Sequence, residues 1–198
     1  TAIFSAISVT LLGLAVPVTA SFIISWVIIG PALQDVGVPA FAAAMFIFYY
    51  SVLSEVSPPT ALSPFAASAI TGGKPIKTMW LTWRYTLSAF LVPFIFVLSD
   101  DGVGLLLQGG PGTIALAFTV SLLAVASLAV ATGAWLIGPA RWPERVLLGA
   151  GSLPMLVMEP LYIGIGAAII AVGVVVHILG LRKHRTDMVT GRKDKAPL

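Results

Sequence analysis

Residues Ser54–Pro64 read SEVSPPTALSP, and they interrupt one of the most apolar parts of the chain. Upstream runs FAAAMFIFYY (41–50) and downstream FAASAITGG (65–73). Between them stand three prolines, three serines, Thr60 and the carboxylate of Glu55. Pro58 and Pro59 lack amide hydrogens, and each disfavours helix in the residue before it. Two in succession unwind a helix locally. Unwound backbone at membrane depth is tolerated only where it is buried in protein or lines an aqueous cavity.

The surrounding composition sets the solvent. The chain of 198 residues is 58% hydrophobic and 10% charged, against about 25% charged in soluble domains. A fold of this make-up would expose large apolar patches to water, so its solvent is lipid. Lipid offers backbone groups no partners, which leaves helices or closed barrels. Long apolar runs without alternation exclude barrel strands. The expected class is all-α integral membrane. Cysteine is absent, which removes disulfides and thiolate metal sites. The net charge of +3 is read as topogenic, from basic residues flanking spans, and not as nucleic-acid binding. The apolar start TAIFSAIS carries no charged leader region and is read as the interior of a longer polypeptide.

Charge and proline divide the chain into four expected regions. Residues 1–73 hold a re-entrant hairpin and a broken helix; 74–111 a basic connector, a short span and an acidic loop; 112–181 spanning helices; and 182–198 a polar basic tail. In the first region GLAVPVTA (13–20) forms a tip. The piece from Val18 to Gly30, 13 residues, is roughly 20 Å as helix, short of the roughly 30 Å hydrocarbon core. It therefore pairs with residues 1–14 around Gly13–Pro17 as two short arms. Further on, 113–137 is read as one spanning helix, GPARWPER (138–145) as a basic loop, and 147–181 as a last block broken at Pro154 and Pro160. The connector, GPARWPER and the tail are expected in the cytoplasm, and SDDGVG (99–104) outside.

Helix ends at the bilayer midplane are ion-binding features, carbonyl ends for cations and amide ends for anions. Both breaks carry hydroxyls: Thr19 and Ser21 at the tip, Ser57 and Thr60 at the double proline. Thr60, Ser57 and Thr19 are the candidate ligands of a hard cation, with carbonyls freed around Glu55 to Ser57. Gly13, Pro17, Glu55, Pro58 and Pro59 are expected to line the site. Thr19 has a second reading as N-cap of the second arm, and Gly13 as a helix-packing residue. Glu55 is an ionisable group inside a span, costly unless functional or paired. Arg84 either snorkels to headgroups or senses substrate charge, and Trp80 and Trp83 fit an interfacial belt. His177 is expected near a membrane face, and Glu159 beside an elbow. No catalytic constellation and no phosphate loop appears, so no enzyme activity and no organic cofactor is expected.

The segments LGLAVPVTASFIISWVIIGPALQDVGVP and FIFYYSVLSEVSPPTALSPFAASAITGGKPIKTMWLTWRYTLSAFLVPFIF resemble the large membrane subunit of tripartite ATP-independent periplasmic (TRAP) transporters. They are most similar to the fused-permease branch that works with TAXI-type binding proteins. The resemblance covers about residues 9–98. It implies one half of an inverted-repeat, elevator-type secondary transporter, with the other repeat elsewhere in the polypeptide. It further implies sodium as coupling ion, a periplasmic TAXI-type binding protein as partner, an organic acid such as a dicarboxylate as substrate, and a cell inner membrane location. A channel or a non-transporting membrane scaffold is the competing class. Polar residues clustered at two short breaks, and not along whole helices, weigh against a channel.

Overall fold

The computed structural model describes the backbone of residues 1–189 and the side chains of residues 1–181. Among the described residues every regular element is helical. The first two helices, α1 (Ala2–Gly13) and α2 (Val18–Gln34), pack against each other and against α3 (Ala40–Leu53). At about 1.5 Å per residue, α1 is roughly 18 Å long, too short to cross a bilayer alone. Both open ends of this hairpin lie at one end of the bundle. Thr1 shares a pocket with Leu98, and Val36 lines another with the same residue. The hairpin thus turns back on itself, with its Gly13–Pro17 tip away from those ends. Its second arm is longer than the sequence suggests. It continues past Gly30 to Gln34 with Pro31 inside it, because one missing donor near a helix end removes a single bond.

Beyond α3, a 3-10 turn (Ser54–Val56), the two prolines and Thr60 separate it from α4 (Leu62–Thr71). Ala61 redirects the chain at φ +34°, ψ +59°, the left-handed region that costs an alanine about 1–2 kcal/mol. The segment read as a connector is helix α5 (Pro75–Thr86), followed by a 3-10 turn and α6 (Val92–Leu98). The two form a bent pair with a 51° angle that together has the length and composition to cross a membrane. This supplies the extra length that a span over residues 85–98 lacks.

Helix α7 (Pro111–Gly133) and α9 (Pro160–Val189, its first part to Leu181) are each long and apolar enough to span. The turn after α7 is closed by an isolated bridge between Trp135 and Pro139. GPARWPER is only half a loop. Helix α8 (Trp142–Ser152) begins inside it, with Pro143 in the first turn, where a proline costs no hydrogen bond. A 3-10 turn (Pro154–Val157) carries the chain from α8 to the end occupied by Asp100 and Glu159. The last block therefore runs to that end and returns. Helix α9 stays helical to Val189, past the expected start of the tail, and residues 190–198 lie outside the described residues.

Two apolar cores share α6. Phe96 packs with Phe46, Tyr50 and the hairpin, while its neighbour Ile95 packs with Val120, Leu148 and Met155. Arginines from two helices satisfy carbonyls left open at the end of α7. Arg84 Nε donates to Thr132 O (2.7 Å) and Arg145 Nε to Ala131 O (2.7 Å), a favourable place for cations. Arg84 therefore serves as a helix cap. Trp80 and Trp83 stack edge-on with centroids 5.5 Å apart and border an apolar cavity of about 410 Å³ with Tyr50 and Phe90.

Helices α8 and α9 approach through glycines. A Cβ on Gly166 would lie 2.6 Å from Gly151 O and 2.4 Å from Met155 Cγ. Close backbone approach of this type is how membrane helices pack without a hydrophobic driving force. Gly166→Ala should destabilise by about 1–3 kcal/mol through overpacking. Gly164→Ala, two residues away where a Cβ meets nothing within 4 Å, should be neutral or stabilise by up to about 1 kcal/mol. Thermal unfolding of the two variants in the same detergent reads the difference.

Candidate functional site

The hairpin tip and the double-proline break meet inside the protein. A cavity of about 310 Å³ is lined by Gly13–Pro17 on one side and by Ser54, Glu55, Thr60 and Leu62 on the other. Four helix termini thus converge: the C-terminal ends of α1 and α3 and the N-terminal ends of α2 and α4. Carbonyl ends carry partial negative charge and amide ends partial positive charge. One small space therefore offers both signs without a fixed ionic side chain except Glu55, which is half-buried.

Sequence sets the carbonyl supply. A helical carbonyl bonds to the amide three or four residues ahead, and for Glu55 those residues are Pro58 and Pro59. Its carbonyl has no helical donor for a covalent reason. Two nearby carbonyls are engaged: Ser57 N–H donates to Ser54 O (3.0 Å) and Ala61 N–H to Ser57 O (3.1 Å). The carbonyls without a backbone donor are those of Glu55 and Val56, and the one at Ser57 is occupied.

The hydroxyls divide. Thr60 is exposed and lines the cavity. Ser57 is buried, donates from Oγ to Leu53 O (2.9 Å), and borders the apolar cavity on the other face with Pro58. Thr19, in the first turn of α2, is exposed and does not line the cavity. The N-cap of α2 is Pro17 with no side-chain cap bond, so Thr19 is not a cap. Gly13 and Pro17 line the cavity, and Pro59 is exposed outside it.

Behind the cavity runs a seam of serines that sequence reasoning passed over. Ser21 Oγ lies 3.3 Å from Ser51 Oγ, Ser51 Oγ donates to Ile47 O (2.9 Å), and Ser54 Oγ donates to Ser51 O (2.6 Å). All three serines are buried. Ser51 and Ser54 bond back along their own segment, which leaves Ser51 Oγ free to accept from Ser21 across the helix contact. The spacing of Ser51, Ser54 and Ser57, one every three residues on the helix entering the break, was the available signal.

A second polar centre was missed altogether. His177 is buried (1% exposed) and hydrogen-bonded through Nδ1 to Glu144 Oε2 at 2.7 Å, with Glu144 itself 3% exposed. His177 stands four residues before the end of the apolar stretch Pro160–Leu181, enclosed by protein between α8 and α9. The stripe Gly166, Gly173, His177 and Gly180 faces α8 on α9, and the small residues flanking the histidine let the helices close around it.

Among the described residues these features are those of an all-helical chain with helices long and apolar enough to cross a membrane, in which a hairpin tip meets a broken helix. Residues 2–99 match the family described as "Tripartite ATP-independent periplasmic transporter, DctM component". The match spans the hairpin, the break and the bent α5–α6 pair, and stops just after α6. The comparisons with curated proteins and with solved structures found no match.

Contact between tip and break depends on Gly13. A Cβ there would stand 2.3 Å from Ser54 Oγ and 2.7 Å from Ser54 Cβ. Gly13→Ala should destabilise by about 1–3 kcal/mol. Adding Ser54→Gly, which removes both clashing atoms, should recover at least about 1 kcal/mol in a double-mutant cycle. Unfolding of the four proteins measures that coupling, and additive losses would mean the two residues do not touch.

Proposed function

We propose that this chain is part of the membrane permease of a sodium-coupled, binding-protein-dependent secondary transporter that imports an organic acid, a carboxylate. The observation that supports it is the convergence of four helix termini on one cavity at the hairpin tip. The carbonyl ends, the orphaned Glu55 carbonyl, the Ser54 oxygen and Thr60 suit Na⁺, a hard cation that binds oxygen. The amide ends of α2 and α4 suit an anionic group beside it. The TRAP permease family is a transporter family and not an enzyme family, and its members work with a periplasmic binding protein and a small membrane subunit. The TAXI type of binding protein, the sodium ion and the carboxylate substrate are this proposal's content. Thr60 is the ligand it favours. Ser57, its hydroxyl and carbonyl both engaged, enters by holding the break in place, and Thr19 through the placement of the tip.

Orientation follows from charge. Asp100, Asp101 and Glu159 border one end, while Arg84 and Arg145 cap α7 at the other. We place the basic end in the cytoplasm and the acidic end in the periplasm of a cell inner membrane, with the binding protein docking on the acidic end. The end of α9 then lies on the cytoplasmic side, because Leu181 sits against Gly138.

In the full transporter, Thr60→Ala should raise the sodium concentration for half-maximal uptake. Loss of one oxygen contact to a charged partner is worth about 1.5–3 kcal/mol, on the order of 10- to 150-fold in affinity. Thr60→Ser should be much milder. Unchanged sodium dependence in Thr60→Ala would sink the ion-site reading. For orientation, single cysteines at Asp100 and Arg141 in a cysteine-free background should differ in reaction with an impermeant thiol reagent added to intact cells. Labelling at residue 141 but not at 100 would invert the topology.

A further inference from the structure

The Glu144–His177 pair lies on α8 and α9, outside the region shared with the DctM family. Its carboxylate is well held. Glu144 occupies the third position of α8, accepts the Arg141 amide at Oε2 (2.9 Å), and takes the His177 Nδ1 contact on the same oxygen. A carboxylate at a helix N-terminus is favoured there. The other side of the pair is not held. His177 Nε2 is buried with no hydrogen-bond partner among the described residues.

Two proton counts are available to this pair, and each lacks something. With one proton, on Nδ1 and donated to Glu144, the imidazole is neutral and Nε2 is a bare acceptor. The pair then carries one negative charge inside an apolar bundle, which burial disfavours. With a second proton on Nε2 the pair is electrically neutral overall, but it buries an N–H that has no acceptor, a costly group. Neither state is fully satisfied.

Among the described residues the neighbouring charge that bears on the pair is Arg141, which favours the Glu144 carboxylate. Helix α7 packs on α8, and its sequence from Pro111 to Gly133 holds no ionisable side chain. On α8, Arg141 is exposed, and Arg145 is committed to Ala131 O and lies over the Trp142 ring. On the described part of α9 the other ionisable residue is Tyr162, and Glu159, just before the helix, lies at the opposite end of the bundle. Arg182, Lys183, His184, Arg185 and Asp187 follow on α9, with side chains outside the described residues.

We propose that Glu144 and His177 form a protein-buried proton-binding site near the basic end of the C-terminal bundle, separate from the cavity at the hairpin tip. Its ligand is a single proton, taken up at Nε2 and held by the Glu144 carboxylate through the imidazole ring. No redox partner and no covalent step is involved. Because the pair joins α8 to α9, proton occupancy sets the net charge at that helix contact, which is zero when loaded and minus one when empty.

The test is nitrogen NMR of the intact protein, labelled with ¹⁵N-histidine and reconstituted in lipid nanodiscs. The imidazole signal that disappears in His177→Gln is assigned to His177, with His177→Asn as the second assignment variant. Expected is a His177 signal that moves between its two protonation forms between pH 5 and pH 9, with a midpoint that Glu144→Gln displaces by about 1–3 pH units. A signal fixed in one form across that range overturns the proposal, and so does a midpoint unchanged in Glu144→Gln. Should both assignment variants fail to fold, infrared difference spectra between pH 5 and pH 9, recorded with and without Glu144→Gln, read the same proton. Carboxylate bands identical in the two proteins overturn it.

Discussion

Everything at the centre of this protein follows from one constraint: in lipid, a peptide group without a partner has no water to turn to. A double proline breaks that rule by covalent structure alone, since it strips two amides from the ladder and leaves the Glu55 carbonyl without a donor. The fold answers by bringing a second break to the first. The hairpin tip supplies backbone, Gly13 lets it come close, and the serines of α3 return their protons to carbonyls. The product is a small half-open cavity, largely apolar in its lining, whose few polar groups are mostly main-chain ones. Side-chain substitutions there tune a site that the backbone has already made.

The breaks were legible in the sequence because they are written in covalent terms. Proline removes a donor wherever it stands, and a short apolar arm cannot cross a bilayer whatever it packs against. The hairpin, the interrupted third helix and the long spans of the C-terminal part follow directly. Which hydroxyls face the chamber was not legible. Thr19 and Ser21 are two residues apart on α2, so they point some 200° apart around the helix, and only packing decides which points inward. Ser21 does, and Thr19 does not. The prolines that open helices misled in the other direction. Pro143 reads as a loop signal, yet it sits in the first turn of α8, where its fixed φ favours the helix. Glu144, hidden in that reading, could not be matched to His177, 33 residues further on, without the approach of α8 to α9.

Two charge patterns coexist and have different physical status. Arg84 and Arg145 meet open carbonyls at an exposed helix end, where cations are cheap. Glu144 and His177 are removed from solvent by the same small-residue stripe that lets their helices touch. The first pattern orients a protein in a membrane. The second stores an ionisable pair where dielectric screening is weak, which is why a single proton matters more there than at either surface.

Helix α6 belongs to both cores at once, Phe96 facing the hairpin and Ile95 facing the C-terminal bundle. A wall common to two rooms cannot slide with one and stay with the other. Whatever travels during a working cycle, the hairpin, α6 and the bundle behind it travel as one body, or else one of the two cores must unzip. Within residues 1–181 the natural joint lies upstream, where α5 meets α6 at 51° through a one-turn 3-10 link.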